Sequence, residues 1–91
     1  MNKILKQITE EMYKTDLDYI KIKKGNYSVI RNSETIRHYY FGNLICYVEL
    51  ETKKFYLHHC NYLGYQLTTA QLNWLEKFYK DKNYILIYRG K

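Results

Sequence analysis

The chain has 91 residues, enough for one domain with a single modest core and too few for a second domain. Its 15 Lys and Arg residues against 9 Asp and Glu residues give a formal net charge of +6, which favours polyanions or acidic proteins as partners but also serves solubility. No apolar run has the length of a membrane span and no signal peptide is recognisable, so we expect residues 1–91 to form one cytoplasmic domain without a membrane partner.

Apolar residues at helical spacing predict a first helix over residues 2–14. They form one narrow stripe of Ile4, Leu5, Ile8 and Met12. A stripe of this width predicts a helix that lies on the surface of a sheet.

Residues 19–23 alternate between apolar and basic side chains and predict a strand. Gly25-Asn26 then turns the chain into a partner strand over residues 27–31. The pair carries the cations Lys21, Lys23, Lys24 and Arg31. Cations on an edge strand guard against aggregation or contribute to a nucleic-acid patch, and both interpretations remain open.

Residues 35–60 organise the chain, because three runs rich in β-branched and aromatic residues predict a three-stranded antiparallel meander there. The runs are residues 39–41, 44–50 and 55–59, separated by Gly42-Asn43 and by residues 51–54. Tyrosine is also unusually frequent, with 12 Tyr against 3 Phe in the chain. Because a tyrosine buries its ring and keeps its hydroxyl in water, this excess suits a thin sheet with one wet face or a contact surface.

A two-residue loop at Thr52-Lys53 predicts the register of the second hairpin. One face, expected to be the core, then pairs Leu50 with Phe55, Val48 with Leu57 and Cys46 with His59. The other face pairs Glu49 with Tyr56, Tyr47 with His58 and Ile45 with Cys60.

The first hairpin leaves two registers open. A two-residue Gly42-Asn43 loop sets Arg37 opposite Val48, whereas a slip of one residue sets Arg37 opposite Glu49. The second register is preferred because it pairs opposite charges.

A capping box at Thr68 and Gln71 predicts a second helix from residue 68 to about residue 80, whose broad apolar face would cover a sheet. Residues 84–88 are apolar throughout and predict a closing strand that is central or fully covered. Together these elements predict an α+β fold with a first helix, an antiparallel sheet of four to six strands and a second helix packed on one face.

Side chains that ligate metals share one strand face if the slipped first hairpin is correct: His38, Cys46 and His59. The spacing contains no CxxC or HxxxH pattern, so we expect a core cysteine, a partly buried histidine and no metal ion or cofactor. Cys46 and Cys60 lie on opposite faces in the predicted register and are expected to stay reduced.

His38 or His58, with lysine and tyrosine neighbours, would suffice as the acid and base of a metal-free ribonuclease. Small basic ribonuclease toxins have this size and charge. No cationic phosphate clamp can be located in the sequence, so this enzyme remains an alternative and no catalytic residue is assigned.

Aromatic side chains of the meander predict a stacking platform for nucleic acid on the exposed sheet face: Tyr40, Tyr47, Tyr56 and His58. Cations near this platform are Arg37, Lys53 and Lys54. In the competing interpretation the second helix covers this face and the tyrosines belong to the core.

The order of features from residue 39 to residue 79 resembles a group of small uncharacterised phage and prophage domains, in which a tyrosine-rich hairpin leads through a Tyr and Thr loop into a helix. The resemblance is carried by residues 39–43, residues 52–57, Tyr65, Thr68-Thr69 and Trp74-Leu75. It implies an accessory protein that acts by binding. Phage chains of this size include inhibitors of host defence, anti-CRISPR proteins among them, which occupy a nucleic-acid channel or a protein surface.

These observations predict a non-enzymatic binding module that inhibits a bacterial defence complex by direct contact. Its partner is expected to be a protein or ribonucleoprotein complex of the host, with single-stranded nucleic acid as the alternative. The predicted binding residues are Arg37, Tyr47, Lys53, Lys54 and Tyr56, with the rings as anchors and the cations steering the partner. A homodimer through a free sheet edge is a further expectation that the sequence leaves open.

Overall fold

The computed structural model contains two helices and six strands within the residues that it describes. These are residues 3–58 and 65–90, of which residues 65–68 are described by their backbone alone. The elements in chain order are α1 (Lys3–Lys14), β1 (Ile20–Lys24), β2 (Tyr27–Arg31), β3 (Thr35–Tyr40), β4 (Asn43–Glu49), β5 (Lys54–Leu57), α2 (Tyr65–Lys80) and β6 (Ile85–Arg89). No helix within these residues combines the length and the apolar character needed to cross a membrane.

The strands form one sheet in the order β1-β2-β3-β4-β5-β6, with the meander β3-β4-β5 inside it. The predicted α+β fold and its meander are therefore confirmed. The expectation of a wholly antiparallel sheet is wrong at one pair, because β6 runs parallel to β5. The 16-residue helix α2 connects these strands and carries the chain back along the sheet, so the strand that follows must run in the same direction as β5.

The core lies between the two helices and one face of the sheet. Helix α1 packs on β1 and β2, and α2 packs on β4, β5 and β6. The helices bury Leu5, Ile8, Met12, Leu72, Leu75 and Tyr79, and the sheet buries Val29, Ile36, Val48, Phe55 and Leu57 beneath them. Burial of each such aliphatic side chain stabilises the fold by roughly 1.5–3 kcal/mol. In the part of the chain that the structure describes, no helix covers the other side of the sheet, which we call the open face.

The second hairpin keeps the predicted faces but not the predicted register. Val48 lies opposite Phe55, Cys46 opposite Leu57 and Tyr47 opposite Tyr56, a shift of two residues. The reason is a longer loop over residues 50–53, in which Lys53 takes the left-handed conformation with φ 55°. Because strand side chains alternate with period two, this shift keeps Cys46, Val48, Phe55 and Leu57 on the core side of the sheet. Ile45 departs from the prediction, since it was expected on the other face and is fully buried in the core.

Neither register predicted for the first hairpin is correct, because Arg37 lies opposite Tyr47. The turn is formed by Phe41 and Gly42, both with positive φ (50° and 76°). A two-residue hairpin loop of type I′ requires positive φ at both of its central residues. A bulge then lets the pairing pass from His38 opposite Cys46 to Tyr39 opposite Leu44. The positive φ of Phe41 is rare for an aromatic residue, so the sequence favoured the wrong turn.

Helix α2 begins at Tyr65, three residues before the predicted cap, and the capping-box interpretation is wrong. Gln71 instead lies in the core, where its side-chain amide donates a hydrogen bond to the Tyr27 hydroxyl. Strand β6 is the outermost strand and not a central one. Its Ile85 side chain is 60% exposed, because α2 covers only one face of the strand.

Candidate functional site

Strand pairing places one residue from every strand in a continuous line across the open face. Each residue of the line is the register partner of the next, in the order Lys21, Ile30, Arg37, Tyr47, Tyr56 and Tyr88. We call this line the cross-strand row. The row arises because its members alternate with core residues such as Ile36, Val48 and Phe55, which point to the helices. At the usual spacing of strands the row is roughly 24 Å long.

The centre of the row is held together by ring contacts. The Arg37 guanidinium lies 5.4 Å from the centroid of the Tyr47 ring, and the Tyr47 and Tyr56 rings are 5.9 Å apart with their planes at 53°. The Tyr56 hydroxyl donates a 3.0 Å hydrogen bond to Oε1 of Glu49. This hydrogen bond raises the pKa of Tyr56, so its hydroxyl remains a donor at neutral pH. These contacts orient the two rings before any partner binds.

The structure brings four of the five predicted binding residues onto the open face. Arg37, Tyr47 and Tyr56 are neighbours in the row, and Lys54 lies on the adjacent pair opposite Glu49. Lys53 differs, because it belongs to the loop and its ammonium lies 5.8 Å from the ring centroid of the buried Tyr84. Lys53 is therefore drawn away from the row.

Tyr40 was expected on the stacking platform, and this expectation is wrong. Its side chain is buried under the helices, where its ring stacks on Tyr27 with the centroids 4.7 Å apart. Tyr40 lies two residues after His38 and four after Ile36 along β3, so its side chain points to the same core face as theirs.

The two histidines proposed as an acid and base lie in different surroundings. His38 is buried, with Nε2 2.6 Å from the Tyr79 hydroxyl of α2, and among the residues that the structure describes its Nδ1 has no hydrogen-bond partner. Burial lowers the pKa of His38 to about 3, so the ring is neutral at physiological pH. His58 packs beside the Tyr88 ring, 5.6 Å away. Of the two histidines considered as an acid or base, His38 is thus buried in the core, whereas His58 lies beside the exposed Tyr88.

The metal-ligating side chains are only partly described. Cys46 lies opposite His38 and is fully buried, which raises the pKa of its thiol. His59 and Cys60 lie outside the described residues. Residues 3–58 and 65–90 contain no group of three or more side chains placed to hold a metal ion.

The open face carries both signs of charge, with cations near β1 and carboxylates beside Tyr47 on β4. Near β1, Lys21 and Lys23 line a depression together with Ser28 and Phe41. Beside Tyr47, a second depression is lined by the carboxylates of Glu34, Glu49 and Glu51. A partner lying along the row would thus meet a basic end and an acidic flank.

The sequence alone did not predict that Lys21 and Tyr88 form the two ends of the row, nor that Glu34, Glu49 and Glu51 line one depression. Lys21 was considered as a guard on an edge strand or as part of a nucleic-acid patch, but not together with the tyrosines, and Tyr88 was assigned to a covered strand. The alternation of β1 was a usable signal for Lys21, but the uniform apolar run of β6 gave no such signal for Tyr88. Glu34 and Glu51 come together only through the loop lengths, which the sequence did not reveal.

The comparisons with known proteins leave these features without a precedent. No family model, no curated protein and no solved structure matches the chain. The resemblance of residues 39–79 to phage and prophage domains therefore remains a hypothesis, and the function has to be inferred from the geometry of the open face.

Proposed function

We propose that the chain is a non-enzymatic binding module that grips a protein partner with the open face of its sheet. The observation that carries this proposal is the cross-strand row, which presents tyrosine rings, an arginine and an aliphatic side chain in one line on a face free of helices among the described residues. Tyrosine and arginine dominate the energetic centres of protein interfaces. Rings already oriented by Arg37 and Glu49 lose little side-chain freedom on binding.

The mixed charge of the open face favours a protein over a nucleic acid as the partner. Glu34, Glu49 and Glu51 lie beside Tyr47 and would repel phosphates that approach the rings. A protein surface can match both signs of charge, with acidic groups towards Lys21 and Lys23 and basic groups towards the carboxylates.

For the biological role we retain the inhibition of a bacterial defence complex in the cytoplasm, by a protein of phage or mobile-element origin. The resemblance of residues 39–79 supports this role, and so does a surface suited to occupying a partner. The burial of His38 supports a non-enzymatic mode of action, since it removes from the surface one of the two histidines considered for ribonuclease chemistry.

The test is phage plaquing on bacteria that carry a defined CRISPR or restriction system. Expression of the wild-type chain should restore plaquing in at least one of these systems, and Tyr47→Ala with Tyr56→Ala should abolish the effect. The matched control is Lys6→Ala with Gln7→Ala on the exposed side of α1, which should keep full activity. A double tyrosine variant that inhibits as well as wild type would exclude the open face as the contact surface.

Single-stranded nucleic acid is the second candidate, favoured by the neighbouring Tyr47 and Tyr56 rings and the cations Arg37 and Lys21 in the same row. A titration against labelled single-stranded RNA and DNA at low and moderate salt decides between the two. Binding that weakens steeply with salt and is lost in the double tyrosine variant would put the nucleic acid first. No binding at low salt would leave the protein partner.

A further inference from the structure

Strand β6 offers a free edge that lacks the usual protection. The residues that the structure describes include no strand beyond β6, and Ile85, Ile87 and Tyr88 of this strand are 60%, 49% and 52% exposed. The opposite edge strand, β1, instead exposes lysines at residues 21, 23 and 24. Lysines on an edge strand discourage the addition of another strand, and an apolar edge invites it.

A depression lined by charged groups lies beside β6 on the helix side of the sheet. Its walls are Asn73, Glu76, Lys77, Lys80, Asp81 and Arg89. Glu76 accepts hydrogen bonds from Lys80 and Arg89, both at 2.7 Å, and Arg89 also donates to Oδ1 of Asn73 at 2.6 Å. These ion pairs hold the pKa of Glu76 below its usual value.

The three cations of the depression outnumber its two carboxylates, and Glu76 shares its charge between two of the cations. Lys77 is exposed and has no ion-pair partner among the described residues. The depression therefore suits an incoming carboxylate, which would bind beside Lys77 and Lys80.

We infer that the free edge of β6 binds an extended segment of a partner protein in which apolar and acidic side chains alternate. An added strand would pair with the backbone of β6 and direct successive side chains to opposite faces of the sheet. Its apolar side chains would pack on Ile85 and Tyr88 at the open face. Its acidic side chains would reach Lys77, Lys80 and Arg89 on the helix side.

Charge argues for such a segment over a second copy of this chain. Two copies paired edge to edge would bring the same basic depression together twice, and each chain carries a formal net charge of +6. A segment with acidic side chains on one face matches the depression instead. This surface meets the cross-strand row only at Tyr88, so it adds a second contact to the proposed binding module.

The test uses a short fluorescein-labelled peptide of alternating Glu and Val residues, titrated with the intact chain and followed by fluorescence anisotropy. We expect saturable binding, with shifts of the β6 backbone amide signals in NMR spectra. A peptide of the same composition with its Glu and Val residues in separate blocks, and a peptide of alternating Lys and Val residues, should bind at least roughly tenfold more weakly.

Two variants separate the parts of the surface. Lys77→Gln with Lys80→Gln should weaken peptide binding roughly tenfold, whereas the charge-matched Lys3→Gln with Lys6→Gln on α1 should leave it unchanged. Ile87→Lys places a lysine on the edge strand, which disfavours the addition of another strand. This variant should no longer bind the peptide, while its circular dichroism spectrum stays native. Tyr47→Ala, two strands away from β6, should bind the peptide normally, which separates this surface from the centre of the cross-strand row.

Two results would overturn the inference. One is the absence of saturable binding up to about 1 mM peptide. The other is sedimentation of the wild-type chain as a dimer that Ile87→Lys converts into a monomer, because the edge would then belong to a second copy.

Discussion

Arg37 and Tyr47 face each other across β3 and β4, with the guanidinium 5.4 Å from the ring centroid. The contact joins a cation and an aromatic face at a half-buried position, where such a pair contributes about 0.5–1 kcal/mol. Because Tyr47 in turn touches Tyr56, this pair helps to set the orientation of the Tyr47 and Tyr56 rings.

Arg37→Ala should therefore lower the free energy of unfolding by about 0.5–1 kcal/mol, since the ring loses its cation and the arginine stem leaves the sheet. Urea unfolding followed by circular dichroism measures the change. Arg37→Lys should recover part of the loss. Unfolding curves of Arg37→Ala and wild type that superimpose would show that the contact is not energetically coupled to the fold.

Acid should destabilise the protein through His38. The pKa of this residue falls from 6.5 in the unfolded chain to about 3 in the folded one, because burial penalises the charged ring. The unfolded state thus binds more protons below pH 6.5, and stability falls with pH from there down to about pH 3, by up to about 1.4 kcal/mol per pH unit.

His38→Gln should flatten this dependence, as measured by urea unfolding at about pH 7 and about pH 5. His58→Gln is the matched control, because His58 lies at the surface end of β5 beside Tyr88. An equal slope in the wild type and His38→Gln would show that other groups account for the acid sensitivity.

Tyr79→Phe should cost about 1–3 kcal/mol of stability, because it removes the hydroxyl that contacts His38 Nε2 at 2.6 Å. The ring would then hold two buried nitrogens without a partner in the described part of the chain, since Nδ1 already has none there. Tyr88→Phe at an exposed position is the control and should change stability by less than about 0.5 kcal/mol. Urea or thermal unfolding of the wild type, Tyr79→Phe and Tyr88→Phe measures the difference. Similar losses of stability in the two variants would contradict a stabilising role of the buried hydrogen bond.

Gly42→Ala should destabilise the first hairpin by about 1–2 kcal/mol, because φ at this position is +76°. A Cβ atom there would meet no heavy atom within 4 Å, so the cost comes from the backbone conformation alone. Gly42→Asn should cost less, since asparagine tolerates the left-handed region. Thermal unfolding ranks the wild type, Gly42→Ala and Gly42→Asn by melting temperature. A higher melting temperature for Gly42→Ala than for Gly42→Asn would refute the explanation.

Much of the sheet could be predicted from the sequence, because alternation is a local property. Val48, Phe55 and Leu57 were assigned to the core face, and they lie there despite a register error of two residues. The registers themselves depend on loop conformations such as the positive φ of Phe41 and Lys53. Side-chain types give little information on such conformations when the residue is not glycine.

The candidate site shows the same division. Arg37, Tyr47 and Tyr56 were expected together and are neighbours, since all three belong to strands of one meander. Tyr88 joins them only because α2 brings β6 alongside β5, a pairing between distant parts of the chain. Periodicity within a strand contains no information about such a pairing, so this part of the row had to be seen in the structure.

The parallel pairing of β6 also bears on how the protein folds. Strands β1 to β5 are joined by four successive antiparallel hairpins, and each hairpin needs only a short loop closure. Strand β6 pairs with β5 across the long connection that contains α2, so we expect it to be the last strand to be secured. Its amides should therefore exchange with solvent faster than those of β3 and β4, and a partner strand on its edge would slow that exchange. The strand proposed to receive a partner would then be the one whose order depends most on having it.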